Sequence, residues 1–214
     1  MDKLRNSIKN KKLACIANHL IINASFMSDL GLYRGKMGVV LFFYHYARYS
    51  GKSVYSDFGG ELLREIYQEI HSEMPINFVF GLCGIGWGIE YLLQNDFIKG
   101  DSNDVLEDVD RKIMEKDVLR MKDNSFETGL AGISVYVDSR LKGNSLNSSN
   151  KKTLTFDNGY LDNLLKIEPQ IKKAKPKDVL SEILKDSPDS EDIHNIMFGL
   201  RKGCAGVGLK MILQ

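Results

Sequence analysis

GLYRGKMGV, residues 31–39, is a glycine-rich turn that opens straight into an apolar run. Three later stretches repeat it: FVFGLCGI at 78–85, FETGLAGI at 126–133 and GLRKGCAGV at 199–207. Each is a G-x-x-G followed by a branched aliphatic residue. The glycine pairs are Gly35 and Gly38, Gly81 and Gly84, Gly129 and Gly132, and Gly203 and Gly206. The first glycines of successive copies lie 46, 48 and 74 residues apart. Spacings of this size belong to stacked helical units that cannot bury their apolar faces alone.

Amphipathic segments lie between the copies. Val54, Phe58, Leu62, Ile66 and Ile70 recur every fourth residue among acids and Arg64. Val105, Leu106, Val109 and Ile113 recur among Glu107, Asp108, Asp110, Arg111 and Lys112. Both read as helices with one apolar stripe and one wet face, with Ser53 and Asn103 as expected N-caps. After each glycine pair the pattern changes. Residues 39–46 (VVLFFYHY) are apolar all round, and residues 85–93 and 133–137 nearly so, which marks a helix buried on all sides. Each unit thus pairs a half-wet outer helix with a buried inner helix, and the glycines are expected to provide the tight turn and close helix approach. Residues from about 143 to 195 break the rhythm. Gly143 to Lys152 reads as a polar loop, Leu161 to Leu165 and Val179 to Leu184 as short helices, and Pro188 to Asp192 as an acidic loop. The whole of 1–214 reads as a single domain carrying this irregular insertion.

The outer helix, glycine turn and inner helix, repeated with this signature, resemble the lanthionine synthetase C-like family. The resemblance covers Leu30 to Ile133 and Phe198 to Leu213, and none of the stretch from Gly143 to Asn195. It implies an all-α fold: a partial α/α toroid of about four helical hairpins, whose turns face a central cavity. Catalytic members carry Cys-His-Gly and Trp-Cys-x-Gly at two of the turns. There Cys and His hold a zinc ion, which activates a peptide cysteine for addition to a dehydrated Ser or Thr. Such a site needs thiolate and imidazole ligands that converge tetrahedrally. The corresponding pairs here are Tyr33-Arg34, Val79-Phe80, Glu127-Thr128 and Arg201-Lys202, with no Cys or His among them. Arg201-Lys202 would repel a cation.

If the toroid holds, Tyr33, Arg34, Glu127, Thr128, Arg201 and Lys202 line one cavity. The N-termini of the inner helices add partial positive charge there. That combination suits a peptide or a small acidic ligand. No catalytic residue, metal or cofactor is assigned. The expected function is that of a family member without zinc-dependent cyclase activity, serving as a binding or accessory protein in a peptide-modification system. The rival is an active enzyme: a thioether-forming cyclase with atypical ligands, or a toroid hydrolase using Glu127, with Glu90 as a candidate partner carboxylate.

Other candidates have simpler readings. Cys83, Cys204 and His45 could be grouped as metal ligands, but they read as small hydrophobes and a core histidine. FVFGLCGIG at 78–86 could pass for a dinucleotide loop, yet three sister copies and helical neighbours oppose it. Trp87, Phe42, Phe43, Tyr44 and Tyr46 read as filling between inner helices.

Charge is nearly balanced, with 29 Lys and Arg against 28 Asp and Glu, which argues against a nucleic-acid surface. Three scattered cysteines indicate reduced thiols and a cytoplasmic setting. The longest apolar run, residues 37–46, is too short to span a bilayer. The apolar end of the chain, with Val207, Leu209, Ile212 and Leu213, is expected to lie open. That predicts a homodimer, or a partner protein completing the ring.

Overall fold

The computed structural model describes residues 2–146, 156–187 and 197–214. Among them the chain is all-α, with no strand and one isolated bridge between Met197 and Gly203. The helices are α1 (Asp2–Asn23), α2 (Lys36–Ser50), α3 (Ser53–Glu69), α4 (Leu82–Gln94), α5 (Ser102–Met114), α6 (Leu130–Leu146), α7 (Asn158–Ile171), α8 (Val179–Leu184) and α9 (Cys204–Leu213). No helix among the described residues is long and apolar enough to cross a membrane. The chain forms two compact units: residues 1–70 with 178–214, and residues 71–177.

The first unit is built around α2. Every residue from Lys36 to Ala47 is buried, as the all-round apolar sequence requires. Helices α3 and α9 pack on α2, and α1 packs on α9. Helix α2 stops at Gly51, whose φ of 69° is left-handed and whose N–H bonds Ala47 O at 2.9 Å. Phe42, Phe43, Tyr44 and Tyr46 are all buried. Phe43 meets Phe58 of α3 edge to face at 4.8 Å between centroids. The stripe on α3 is shorter than its periodicity suggests: Leu62 and Ile66 are fully buried, whereas Val54 at the start of the helix is 61% exposed.

Val207 and Leu209 correct the expectation of an open apolar end. Both are buried inside the first unit, where α9 lies against α1 and α2. Ile212 is half-buried and Leu213 exposed. Periodicity shows that a face is apolar, but not that a helix two hundred residues earlier will cover it.

The second unit packs α4 against both α5 and α6, with α7 on α6. The β-branched residues 133–137 lie within α6. Helix α6 runs to Leu146, so Gly143 to Leu146 are helix where a loop was expected. Residues 147–152, like the acidic stretch Pro188 to Asp192, lie outside the described residues. The N-cap of α5 is Asp101, which accepts a bond from Asn103 N at 2.9 Å, and not Asn103 itself. Asp104 in the first turn and Arg111 and Lys112 in the last complement the helix dipole. Lys52, not Ser53, stands at the N-cap position of α3.

Candidate functional site

The four glycine turns share one backbone design. In each, the N–H just after the first glycine donates to the carbonyl seven residues earlier. The bonds are Lys36 N to Asp29 O at 2.8 Å, Leu82 N to Pro75 O at 2.9 Å, Leu130 N to Asp123 O at 2.8 Å and Cys204 N to Met197 O at 2.7 Å. A seven-residue loop is thereby folded over the N-terminus of each inner helix and occupies N–H groups that a helix start leaves unpaired. Gly35, Gly81 and Gly203 are the N-caps, with extended backbone that any residue can adopt. The reason for glycine is therefore not the turn conformation expected from the sequence but a lack of room. A Cβ on Gly81 would stand 2.1 Å from Pro75 O, and one on Gly129 would stand 2.2 Å from Asp123 O. Gly38, Gly132 and Gly206 meet the same limit, a Cβ on Gly206 standing only 1.7 Å from Leu200 O.

Three residues before the first glycine an apolar side chain plugs each loop. Leu32, Phe78, Phe126 and Leu200 are all buried. One residue before it the side chain is exposed in every copy: Arg34, Phe80, Thr128 and Lys202. The loop thus presents its last residue outward while its plug points inward.

Within each unit two turns are hydrogen-bonded together. In the first, Arg201 N donates to Tyr33 O at 2.8 Å; in the second, Phe78 N and Val79 N donate to Glu127 O at 3.0 and 3.3 Å. The first unit therefore joins Tyr33, Arg34, Arg201 and Lys202, and the second holds Glu127 and Thr128. Tyr33 is 2% exposed, and the Arg201 guanidinium lies 5.4 Å from its ring centroid. Arg201 also donates to Asp186 Oδ2 through Nε at 2.9 Å and Nη2 at 2.6 Å. The Arg201 partnership holds the Asp186 carboxyl below the usual range. Arg201 is thus a half-buried brace, and Arg34 and Lys202 are the exposed cations. Lys202 has φ of 55°, a left-handed conformation uncommon outside glycine and asparagine, held by the bonds that close the turn.

In the second unit Thr128 Oγ1 donates to Asp123 Oδ2 at 2.6 Å, and Ser125 N donates to Asp123 Oδ1 at 2.8 Å. These bonds, Thr128's first, hold the Asp123 carboxyl below its usual range. Thr128 borders an open cavity of about 550 Å³ whose wall also carries Lys112 and Lys116. Lys112 is already paired with Glu115 at 2.6 Å. Glu127 is half-buried.

The structure also contains a polar cluster that sequence reasoning missed. Arg140 of α6 is fully buried at the centre of the second unit. It reaches Asp110 through Nε at 3.1 Å and Nη2 at 2.7 Å, and Glu90 through Nη1 at 2.5 Å. Ser102 Oγ and Asn103 Oδ1 accept its remaining donors, and Tyr136 donates to Asp110 Oδ1 at 2.6 Å. Burial raises the Asp110 pKa; Arg140 and Tyr136 oppose the shift without cancelling it. Glu90 also accepts from Gln94 Nε2 at 3.0 Å. It is thus a structural counterion and has no freedom to act as an acid or base beside Glu127. The signal was present in the sequence: Asp110 falls four residues after Leu106, inside the stripe of Leu106, Val109 and Ile113.

Cys83 and Cys204 are buried, and burial pushes both thiols up, Cys204 to about 12. His45 is buried in α2. Among the described residues no group of three or more His, Cys, Asp or Glu side chains could hold a metal ion. The four exposed turn positions, two cations, a phenyl ring and a threonine bonded to Asp123, offer no ligand set that fits zinc.

Comparison with known proteins gives one assignment. Residues 27–206 match the family model described as lanthionine synthetase C-like protein. No curated protein matches the chain.

Proposed function

The chain belongs to the lanthionine synthetase C-like family, and from that premise we propose that its glycine turns bind an acidic ligand, such as a peptide rich in Asp and Glu, and not zinc. The observation that carries this reading is the pairing of Arg34 with Lys202. Both stand directly before the N-cap glycine of an inner helix, both are exposed, and their turns are tied by the bond from Arg201 N to Tyr33 O. Asp186 neutralises Arg201 and leaves the two outer cations to face a ligand. The starts of α2 and α9 lie directly behind them and favour negative charge further.

In the second unit Lys116 and Lys112 line one cavity and suit the same ligand class, a carboxylate needing a cation; the Thr128 hydroxyl at its edge is already given to Asp123. The chain would then act as a binding or accessory component of a peptide-modification system. No bond-making step is routed through these turns, because no exposed residue at them supplies a thiolate or an imidazole, Cys83 and Cys204 being buried.

The test is equilibrium binding of a fluorescent oligoglutamate peptide to the wild type and to Arg34→Ala/Lys202→Ala. The double variant should bind on the order of tenfold more weakly, two exposed ion pairs being worth up to about 1 kcal/mol each. Equal affinities would reject the site.

A further inference from the structure

Helix α1 has two apolar faces, and only one is used inside the molecule. Leu13, Ile16, Ala17 and Leu20 are fully buried, and the helix packs on α9. Leu4 is 68% exposed, Ile8 60% and Ile22 68%. At the pitch of an α-helix these three fall within about 40° of one another, on the side opposite the buried residues. They mark a broken stripe: Leu4 and Ile8 adjoin, and Ile22 lies about 21 Å farther along, with Lys11 and Cys15 between them on the same side. Phe26, just beyond the helix, is 86% exposed.

The orientation of this stripe is fixed. Tyr49 of α2 donates to Asn10 Oδ1 at 2.8 Å, and Lys9 Nζ lies 5.4 Å from the Tyr49 ring centroid. These contacts hold the N-terminal half of α1 by its inner side and leave Leu4 and Ile8 outward. Charge around the stripe has one sign. Lys3, Arg5, Lys9, Lys11 and Lys12 lie in the first half of the helix, and Asp2 is the sole acid between residues 2 and 28.

We propose that the outer face of α1 docks on an anionic lipid surface, with Leu4, Ile8 and Ile22 entering the headgroup boundary and Lys3, Arg5 and Lys11 meeting lipid phosphates. Exposed aliphatic side chains interspersed with and flanked by long cationic ones suit a helix lying in the membrane plane. The cationic stems can lie along the apolar boundary while their heads reach the phosphates. A second copy of the chain is the poorer occupant. Its α1 has no acid after Asp2, so two such helices face to face would set cation against cation.

The experiment is flotation of the whole chain with vesicles of phosphatidylcholine alone or mixed equally with phosphatidylglycerol. The wild type should float with the mixed vesicles, stay behind with the neutral ones, and be released by salt. Leu4→Asp/Ile8→Asp, and separately Ile22→Asp, should each weaken flotation on the order of tenfold or more while circular dichroism is unchanged, since these side chains touch no core. Three results would overturn the proposal: no preference for the anionic vesicles, flotation of Leu4→Asp/Ile8→Asp equal to wild type, or a wild-type dimer in light scattering that these substitutions dissolve. The last would assign the face to a second copy.

Discussion

The two units build the same glycine turn and dress it differently. In each, the last residue before the glycine is exposed, and two turns are joined through the residue before that. The first unit puts Arg34 and Lys202 at the exposed positions; the second puts Phe80 and Thr128 there. Their buried charges differ too. Lys36 at the start of α2 is 3% exposed, but its partners Glu65 and Glu69, at 2.9 and 3.0 Å, are 34% and 49% exposed. Burial would lower the Lys36 pKa, and the bonds to Glu65 and Glu69 outweigh it and raise it. Arg140, Asp110 and Glu90 have no such access to water. One scaffold thus tolerates a wet charge cluster or a dry one, and uses its turn tips independently of either.

Removing the cation separates the two clusters most sharply. Arg140→Met strands two carboxylates in the core and should cost about 3–5 kcal/mol. Lys36→Met leaves Glu65 and Glu69, both partly exposed, able to turn toward water and should cost less, about 1–3 kcal/mol. Hydrogen exchange, read on peptides from each unit, measures both. Similar losses would show that the water access of the partners is immaterial.

Acid should act through buried groups of opposite sign of shift in the two units, His45 in the first and Asp110 in the second. Burial, with Arg48 second, lowers the His45 pKa from 6.5 to about 4. Between those values the unfolded chain takes up a proton that the folded first unit refuses. Stability is therefore lost as pH falls through that window, by up to about 3 kcal/mol. Burial raises the Asp110 pKa, so the folded second unit holds a proton there more readily than the unfolded chain, and this contribution to stability is lost as pH rises through the raised pKa. His45→Gln should remove most of the acid response from α2 peptides and leave that of α5 unchanged. An acid response of α2 that survives this substitution would assign the effect to another group.

The shared turn can be broken where it is tightest. Gly206→Ala forces a Cβ against Leu200 O and should cost about 1–3 kcal/mol or more. Gly60→Ala, where the nearest atom is Tyr44 Oη at 3.5 Å, should instead stabilise α3 by up to about 1 kcal/mol. Urea midpoints decide both signs. Smaller still, Lys202→Gly relieves a left-handed backbone and should raise stability by about 1 kcal/mol while weakening acidic-peptide binding. Loss of stability in that variant would show that the lysine side chain braces the turn.

Much of this architecture is legible in the sequence, because glycines and apolar runs report local backbone demands. The four inner helices begin where the G-x-x-G copies place them. What escaped depends on contacts between distant segments. Asp110 looked like part of a wet face until α6 brought Arg140 to it. Val207 and Leu209 looked open until α9 packed on α1 and α2. Arg201 looked like a tip residue until Asp186 and Tyr33 engaged it. The glycines were expected for a tight turn and for close helix approach; that loop carbonyls forbid a Cβ at Gly35, Gly81, Gly129 and Gly203 cannot be read from a helical pattern.

The most direct test of the turn-tip assignment reverses its charge. Arg34→Glu/Lys202→Glu should keep the wild-type fold by circular dichroism, lose binding of oligoglutamate, and gain salt-sensitive binding of oligolysine, measured by fluorescence anisotropy across ionic strength. Undiminished oligoglutamate binding by the folded reversed variant would contradict the assignment of Arg34 and Lys202 as the ligand-facing pair.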